Sequence, residues 1–166
     1  MNRIDKENYY LDIAETVAER ATCLRRCYGA IIVRNDEIIA TGYNGAPRGR
    51  KNCVDLNHCT RAALKIPSGQ RYELCRSVHA EANAIISAAR SETIGSTLYM
   101  ACVDPSTGAL IPGSTSCAMC RRLIINAGIA RVVIRNSKSE FSVVHVEDWI
   151  RDDDSLPADP PAPEQA

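Results

Sequence analysis

Residues 97–135, TLYMACVDPSTGALIPGSTSCAMCRRLIINAGIARVVIR, hold two short apolar runs on either side of an amphipathic segment. Thr97–Cys102 and Arg131–Arg135 read as buried strands, because unbroken apolar runs of this length suit strands covered on both faces. The helix between them is expected to begin near Ser116, a good N-cap. It should end at Asn126-Ala127-Gly128, where glycine can take the left-handed conformation that closes a helix. Working outward, Tyr10, Ile13, Ala14, Val17, Ala18 and Ala21 recur at helical spacing, so residues 6–21 form an amphipathic helix. Tyr28–Arg34 and Glu37–Gly42 flank the turn-prone pair Asn35-Asp36 and predict a β-hairpin. A further helix over residues 78–90 carries Val78, Ala82, Ile85, Ile86 and Ala89 on one face. Only Asn136–Glu140 separates the strand ending at Arg135 from the apolar stretch Phe141–Val146. That is too short for a parallel crossover, so the last strand turns back antiparallel or pairs elsewhere. The expectation is a three-layer α/β/α fold, a mixed sheet of about five strands with helices on both faces.

The chain of 166 residues has ordinary globular composition, 45% apolar and 24% charged, and residues 1–153 of it read as a single domain. From residue 154 to 166 the Pro- and Ala-rich sequence cannot build a core and reads as a disordered tail. Twenty Lys plus Arg balance twenty Asp plus Glu. No global field therefore draws the chain to nucleic acid or to an anionic membrane, and a small substrate is favoured. The first ten residues lack an apolar signal core and no later segment is apolar for long enough to span a bilayer, so a cytoplasmic location is expected. Eight cysteines in that setting are better explained by metal binding or chemistry than by disulfides.

Two motifs define the chemistry. His79-Ala80-Glu81 and Cys117-Ala118-Met119-Cys120 supply three nitrogen and sulfur ligands for Zn²⁺, leaving its fourth tetrahedral position open as in a catalytic site. Side chains two apart on a helix point to nearly opposite faces, so His79 must precede a helix whose first turn holds Glu81, with Ser77 as the expected N-cap. The spacing of three puts Cys117 and Cys120 on one side of the first turn after Ser116. A metal with an open site supplies activated water, and the unligated Glu81 can shuttle its protons.

Through His79-Ala80-Glu81-Ala82-Asn83-Ala84-Ile85 and Cys117-Ala118-Met119-Cys120, the chain resembles the cytidine and deoxycytidylate deaminase family over most of residues 8–135. The resemblance implies the cytidine-deaminase-like fold and a hydrolase acting on the amidine C–N bond of a cytosine. Ala40-Thr41-Gly42-Tyr43-Asn44-Gly45-Ala46-Pro47-Arg48-Gly49, with Thr22-Cys23-Leu24-Arg25-Arg26, looks like the deoxycytidylate branch. That branch implies conversion of dCMP to dUMP in support of thymidylate synthesis, in a homo-oligomer regulated by dCTP or dTTP. It also implies a sugar contact from Asn44, a base contact from the Ala80 backbone, and a nucleotide or effector loop at Gly42, Tyr43, Gly45 and Arg48. The same loop has a plainer reading as a tight turn after a strand.

The resemblance further points to a second, structural zinc held by Cys23, Cys53, Cys59 and Cys75, with His58 able to replace Cys59. Cys27 and Cys102 are expected to be small buried hydrophobes. A substrate phosphate would need cationic donors, for which Arg48, Arg50, Arg61, Arg71 and Arg76 are candidates, most of them expected on the solvated surface. Where the family usually has proline, Ser116 precedes the first cysteine, and residues 103–113 lengthen the loop before it. Ser116 is therefore the substrate-edge residue whose contacts should differ. Deamination of another nucleoside, nucleotide or nucleic-acid base, and a noncatalytic zinc-stabilised nucleotide-binding role, are the alternatives.

Overall fold

In the computed structural model, which describes residues 2–155, Asn35 and Asp36 take left-handed φ angles of 50° and 67°. These are the angles that a tight two-residue hairpin requires. The pair joins β1 (Cys27–Arg34) to β2 (Glu37–Tyr43), after α1 (Lys6–Ala18). Short helical turns α2 (Cys53–Leu56) and α3 (Thr60–Ala63) follow, then a 3-10 turn at Tyr72–Leu74. The chain continues through α4 (Ala80–Ile86), α5 (Arg90–Thr93), β3 (Thr97–Val103), α6 (Ala118–Ala127), β4 (Arg131–Arg135), β5 (Phe141–His145) and α7 (Val146–Arg151). The tail expected from residue 154 onward falls, after Ser155, outside the described residues.

The five strands form one sheet in the order β2-β1-β3-β4-β5. Only β3 and β4 are parallel, joined by the crossover through α6, and β5 returns antiparallel on β4. Alternation along β1 divides the core. Ile31 and Val33 join Tyr10, Leu11, Tyr99 and Val133 under α1. Ala30 and Ile32 face the opposite layer with Leu98, Met100, Ile124 and Val132, where α4 and α6 pack. Helices thus cover both faces of a mixed sheet.

Glycine sets how closely α1 approaches. A β-carbon on Gly29 would lie 2.1 Å from the Ala14 carbonyl oxygen, so only glycine lets α1 rest on β1. The same layer is tied by Arg135, whose side chain is fully buried. It donates to Asn8 Oδ1 at 2.6 Å and Glu15 Oε1 at 2.5 Å and also pairs with Asp12, all three on α1.

Three local expectations are corrected. Helix α1 stops at Ala18, because the chain must turn to bring the Thr22 amide to the Asn44 carbonyl at 3.1 Å. Helix α4 spans Ala80–Ile86 instead of residues 78–90: Val78 is held extended by paired backbone bonds to Gly45, while Ile86 and Ala89 face solvent. The N-caps are His79 and Cys117 instead of Ser77 and Ser116. Cys117 caps with its sulfur, which accepts from the Cys120 amide at 3.5 Å. The Ser116 hydroxyl is turned inward onto Met100 Sδ at 3.6 Å.

Candidate metal and catalytic site

Helices α4 and α6 begin side by side against the same sheet face, and their first residues meet. Capping fixes where each ligand stands. His79 has extended angles and precedes α4, whereas Cys117 and Cys120 are the N-cap and third residue of α6. His79 Nδ1 lies 3.5 Å from Cys117 Sγ and 3.4 Å from Cys120 Sγ, and the three ligand atoms fall within 4.8 Å of one another. A tetrahedral zinc with Zn–S near 2.3 Å and Zn–N near 2.0 Å sets sulfur and nitrogen about 3.5 Å apart, so the donor set fits that ion.

The electrostatics suit a cation. Cys117 is pushed down to about 4 by a hydrogen bond from the Cys120 thiol and then by His79, so this sulfur is a ready thiolate. Cys120 is held far above the ordinary thiol range by the neighbouring Cys117 sulfur, by burial and by Glu81. His79 is pushed up to about 10, chiefly by Cys117 and then by Cys75. A bound cation would satisfy all of this charge at once.

Glu81 sits one residue inside α4, is only 4% exposed, and forms no ion pair among the described residues. It lines a cavity of about 160 Å³ with His79, Ala80 and Cys117. Asn44 enters from the end of β2. Its Oδ1 accepts from the Tyr28 amide at 2.7 Å and its Nδ2 donates to the Arg26 carbonyl at 2.9 Å, so the side chain is fixed against the cavity wall. Thr115 lines the cavity beside Cys117, the place expected of Ser116.

The glycine loop has a definite structural task. A β-carbon on Gly42 would lie 2.3 Å from the Ala80 carbonyl and 2.4 Å from the Ala84 amide, so α4 can approach β2 only because glycine stands there. Gly45 pairs with Val78 through both backbone bonds, 2.8 and 3.2 Å, and delivers His79 to the site. Tyr43 and Arg48 are exposed, and Arg48 lies outside the cavity wall.

Of the four remaining candidate ligands, Cys23, Cys59 and Cys75 line the cavity and Cys53 is buried nearby. They do not close to ligand spacing: among the described residues, His79, Cys117 and Cys120 are the one group of three or more that does. Cys27 and Cys102 are buried in the manner of small apolar residues.

Comparison with known proteins agrees with this arrangement. A family model described as the cytidine and deoxycytidylate deaminase zinc-binding region matches residues 4–136. The chain belongs to this family. The deoxycytidylate deaminase of Mycobacterium phage D29 is 36% identical over 137 residues, covering 80% of this chain and 96% of the phage protein. That of Schizosaccharomyces pombe is 33% identical over 131 residues, covering 79% of this chain and 37% of its own. The chain therefore spans little more than a third of the fission-yeast relative but nearly all of the phage one. Among solved structures, the dCMP deaminase of cyanophage S-TIM5 in complex with dCMP and dUMP is 27% identical, with a TM-score of 0.55. The match covers 81% of this chain and 85% of that one. Within this deaminase family, zinc is the ion that belongs with the His79, Cys117 and Cys120 donors.

Sequence reasoning missed part of the wall. Tyr72 meets the His79 ring edge-on, with centroids 4.9 Å apart, and the Arg61 guanidinium lies 4.3 Å from the centre of the Tyr72 ring. Tyr28 closes another side. No periodic pattern marks these aromatics, because Tyr72 lies in an irregular segment folded between Arg61 and His79.

Proposed function

We propose that this protein is a zinc-dependent hydrolase that converts dCMP to dUMP and ammonia. The observation that carries the reading is the convergence of His79, Cys117 and Cys120 beside a buried, unpaired Glu81 on one cavity wall. His79, Cys117 and Cys120 would hold the ion. When bound, zinc supplies Lewis acidity that makes water nucleophilic near neutral pH.

Glu81 handles the protons. It takes one from the water that attacks C4 of the cytosine and delivers it to N3. It then carries the second to the departing amine, so that the C4–N bond breaks, ammonia leaves and a C4 carbonyl remains. The Ala80 backbone at the start of α4 faces the base, and Asn44, clamped by Tyr28 and Arg26, contacts the deoxyribose. Thr115 takes up the base-edge position that sequence reasoning gave to Ser116. The phage and yeast relatives named deoxycytidylate deaminases support the choice of substrate, as do Arg25, Arg26 and Arg61 along the cavity.

Four further features belong to this reading. Residues 1–153 act as one catalytic domain, supported by the family match over residues 4–136. A second, structural zinc at Cys23, Cys53, Cys59 and Cys75 is supported by the placing of Cys23, Cys59 and Cys75 on one cavity wall with Cys53 buried nearby, and it would require the four sulfurs to draw together on the ion. Metal analysis returning two zinc ions per chain would agree with it, and one would refute it. Homo-oligomers are supported by the exposed apolar residues Ile86, Leu123 and Ile150 on the outer helices, and sedimentation would show them. Control by dCTP or dTTP at the exposed Tyr43 and Arg48 would appear as a change in dCMP kinetics on adding either nucleotide.

The test of the main reading is ammonia release from cytidine, deoxycytidine, CMP, dCMP and adenosine. Preference for dCMP is expected. Release from adenosine or from unphosphorylated deoxycytidine alone would move the activity elsewhere in the family, and release from none would favour a binding role.

A further inference from the structure

Arg61 is a buried cation without an anion. The residue is 7% exposed, and among the described residues no carboxylate lies within 4.0 Å of its guanidinium. Its Nη2 donates to two neutral acceptors, the carbonyls of Pro67 at 2.9 Å and Gln70 at 2.8 Å. One face stacks on Tyr72, and its Nε is buried with no hydrogen-bond acceptor. Burying a charge is unfavourable unless a counter-charge accompanies it. Carbonyl dipoles and an aromatic face orient this guanidinium without neutralising it.

Its position gives that imbalance a purpose. Arg61 lines the same cavity as His79 and Glu81, on the wall formed by the segment from α3 to the 3-10 turn. Arg25 and Arg26 also line the cavity but are exposed, so water and salt can balance them. Among the described residues Glu81 is the one carboxylate of the wall, and it stands beside Cys120 in the metal cluster. The cavity therefore has an anionic donor cluster for a metal and a buried cation that no carboxylate among the described residues pairs with at salt-bridge distance. Among the five arginines proposed for a phosphate, only Arg61 lines the cavity; Arg48, Arg50, Arg71 and Arg76 do not.

We propose that Arg61 is the residue that selects a 5′-phosphorylated pyrimidine nucleoside, its guanidinium pairing with the ligand's phosphate while Tyr72 and the Pro67 and Gln70 carbonyls hold it in orientation. This deepens the deaminase reading and rests on it for the identity of the ligand. A guanidinium already fixed on one side presents its remaining donors with little further loss of freedom.

The test compares binding of dUMP and deoxyuridine to the zinc-loaded full chain by titration calorimetry, for the wild type, Arg61→Gln and Arg61→Lys. The wild type should prefer dUMP. Arg61→Gln should lose roughly 10- to 100-fold in dUMP affinity, the effect of one charge-assisted pair, and leave deoxyuridine affinity unchanged. Arg61→Lys keeps the charge and a donor for the carbonyls, so it secures the test if the glutamine variant does not fold. It should lose roughly tenfold on dUMP alone, because ammonium cannot reproduce the fork. An unchanged dUMP affinity, an equal loss on both ligands, or a wild type indifferent to the phosphate would each overturn the proposal. Ammonia release from dCMP is scored separately. Arg61-dependent dUMP binding without turnover would leave Arg61 in place and refute the deaminase reading. Turnover with no Arg61-dependent phosphate preference would do the reverse.

Discussion

Gly42 lies directly against the backbone of Ala80: a β-carbon at Gly42 would come within 2.3 Å of the Ala80 carbonyl oxygen. This contact sets α4 against β2 and thereby positions His79 and Glu81, which flank Ala80. Gly42→Ala should displace α4, lower stability by about 1–3 kcal/mol and weaken zinc retention. Gly45→Ala meets chiefly the movable Thr22 hydroxyl and should do less harm. Urea unfolding and zinc content measured together check the order, and equal behaviour of the two variants would contradict it.

Glu81→Gln preserves shape but removes the group that accepts and returns protons. Zinc content should stay normal while kcat falls by roughly 100- to 10,000-fold, the usual scale of general acid–base catalysis. Normal turnover in this variant would remove Glu81 from the proposed proton path.

Zinc uptake by metal-free protein should release protons. Without metal, His79 is pushed up to about 10 and Cys120 is also held protonated, whereas Cys117, at about 4, is already a thiolate. At pH 7 binding should expel about two protons per zinc, because each ligand must be deprotonated to coordinate. Apparent affinity should therefore fall as pH is lowered below neutrality. Calorimetry in buffers of different ionisation enthalpy counts the protons, and a value near zero would refute the assignment of charge.

Arg135 carries the other buried ionic cluster. Its side chain is fully buried against Asp12, Glu15 and Asn8, joining β4 to α1, and none of these residues lines the cavity. Arg135→Ala should destabilise the protein by about 3–5 kcal/mol, since it empties a fully buried site and takes from Glu15, only 13% exposed, its buried partner. The Michaelis constant of the folded fraction should not move. A loss below about 1 kcal/mol, more typical of a surface pair, would show that the cluster is not buried in solution.

Much of this architecture was legible in the sequence for definite reasons. Unbroken apolar runs marked β3 and β4 because both faces of those strands are covered, and Asn35-Asp36 marked the hairpin because few residues tolerate paired left-handed angles. The meeting of His79, Cys117 and Cys120 beside Glu81 was legible because a spacing of two puts His79 ahead of a helix whose first turn holds Glu81, and a spacing of three puts both cysteines on one side of a helical turn. What failed depended on tertiary capture. Val78 looked helical but is taken by Gly45, and Ile86 looked like core but points to solvent after α4 stops short. Ser116 looked like a cap, yet the Cys117 sulfur occupies that role. The burial of Arg135 left no local trace because its partners on α1 are 120 to 127 residues away, and that of Arg61 because the loop that folds back on it through Pro67, Gln70 and Tyr72 has no helical or strand period.

The most direct measurement follows dUMP and ammonia formation from dCMP, using the purified chain before zinc removal, after chelation and after zinc is restored. Stoichiometric release of both products, lost on chelation and recovered with zinc, is the predicted result. A zinc-replete, folded protein that forms neither product from dCMP would contradict the proposed function.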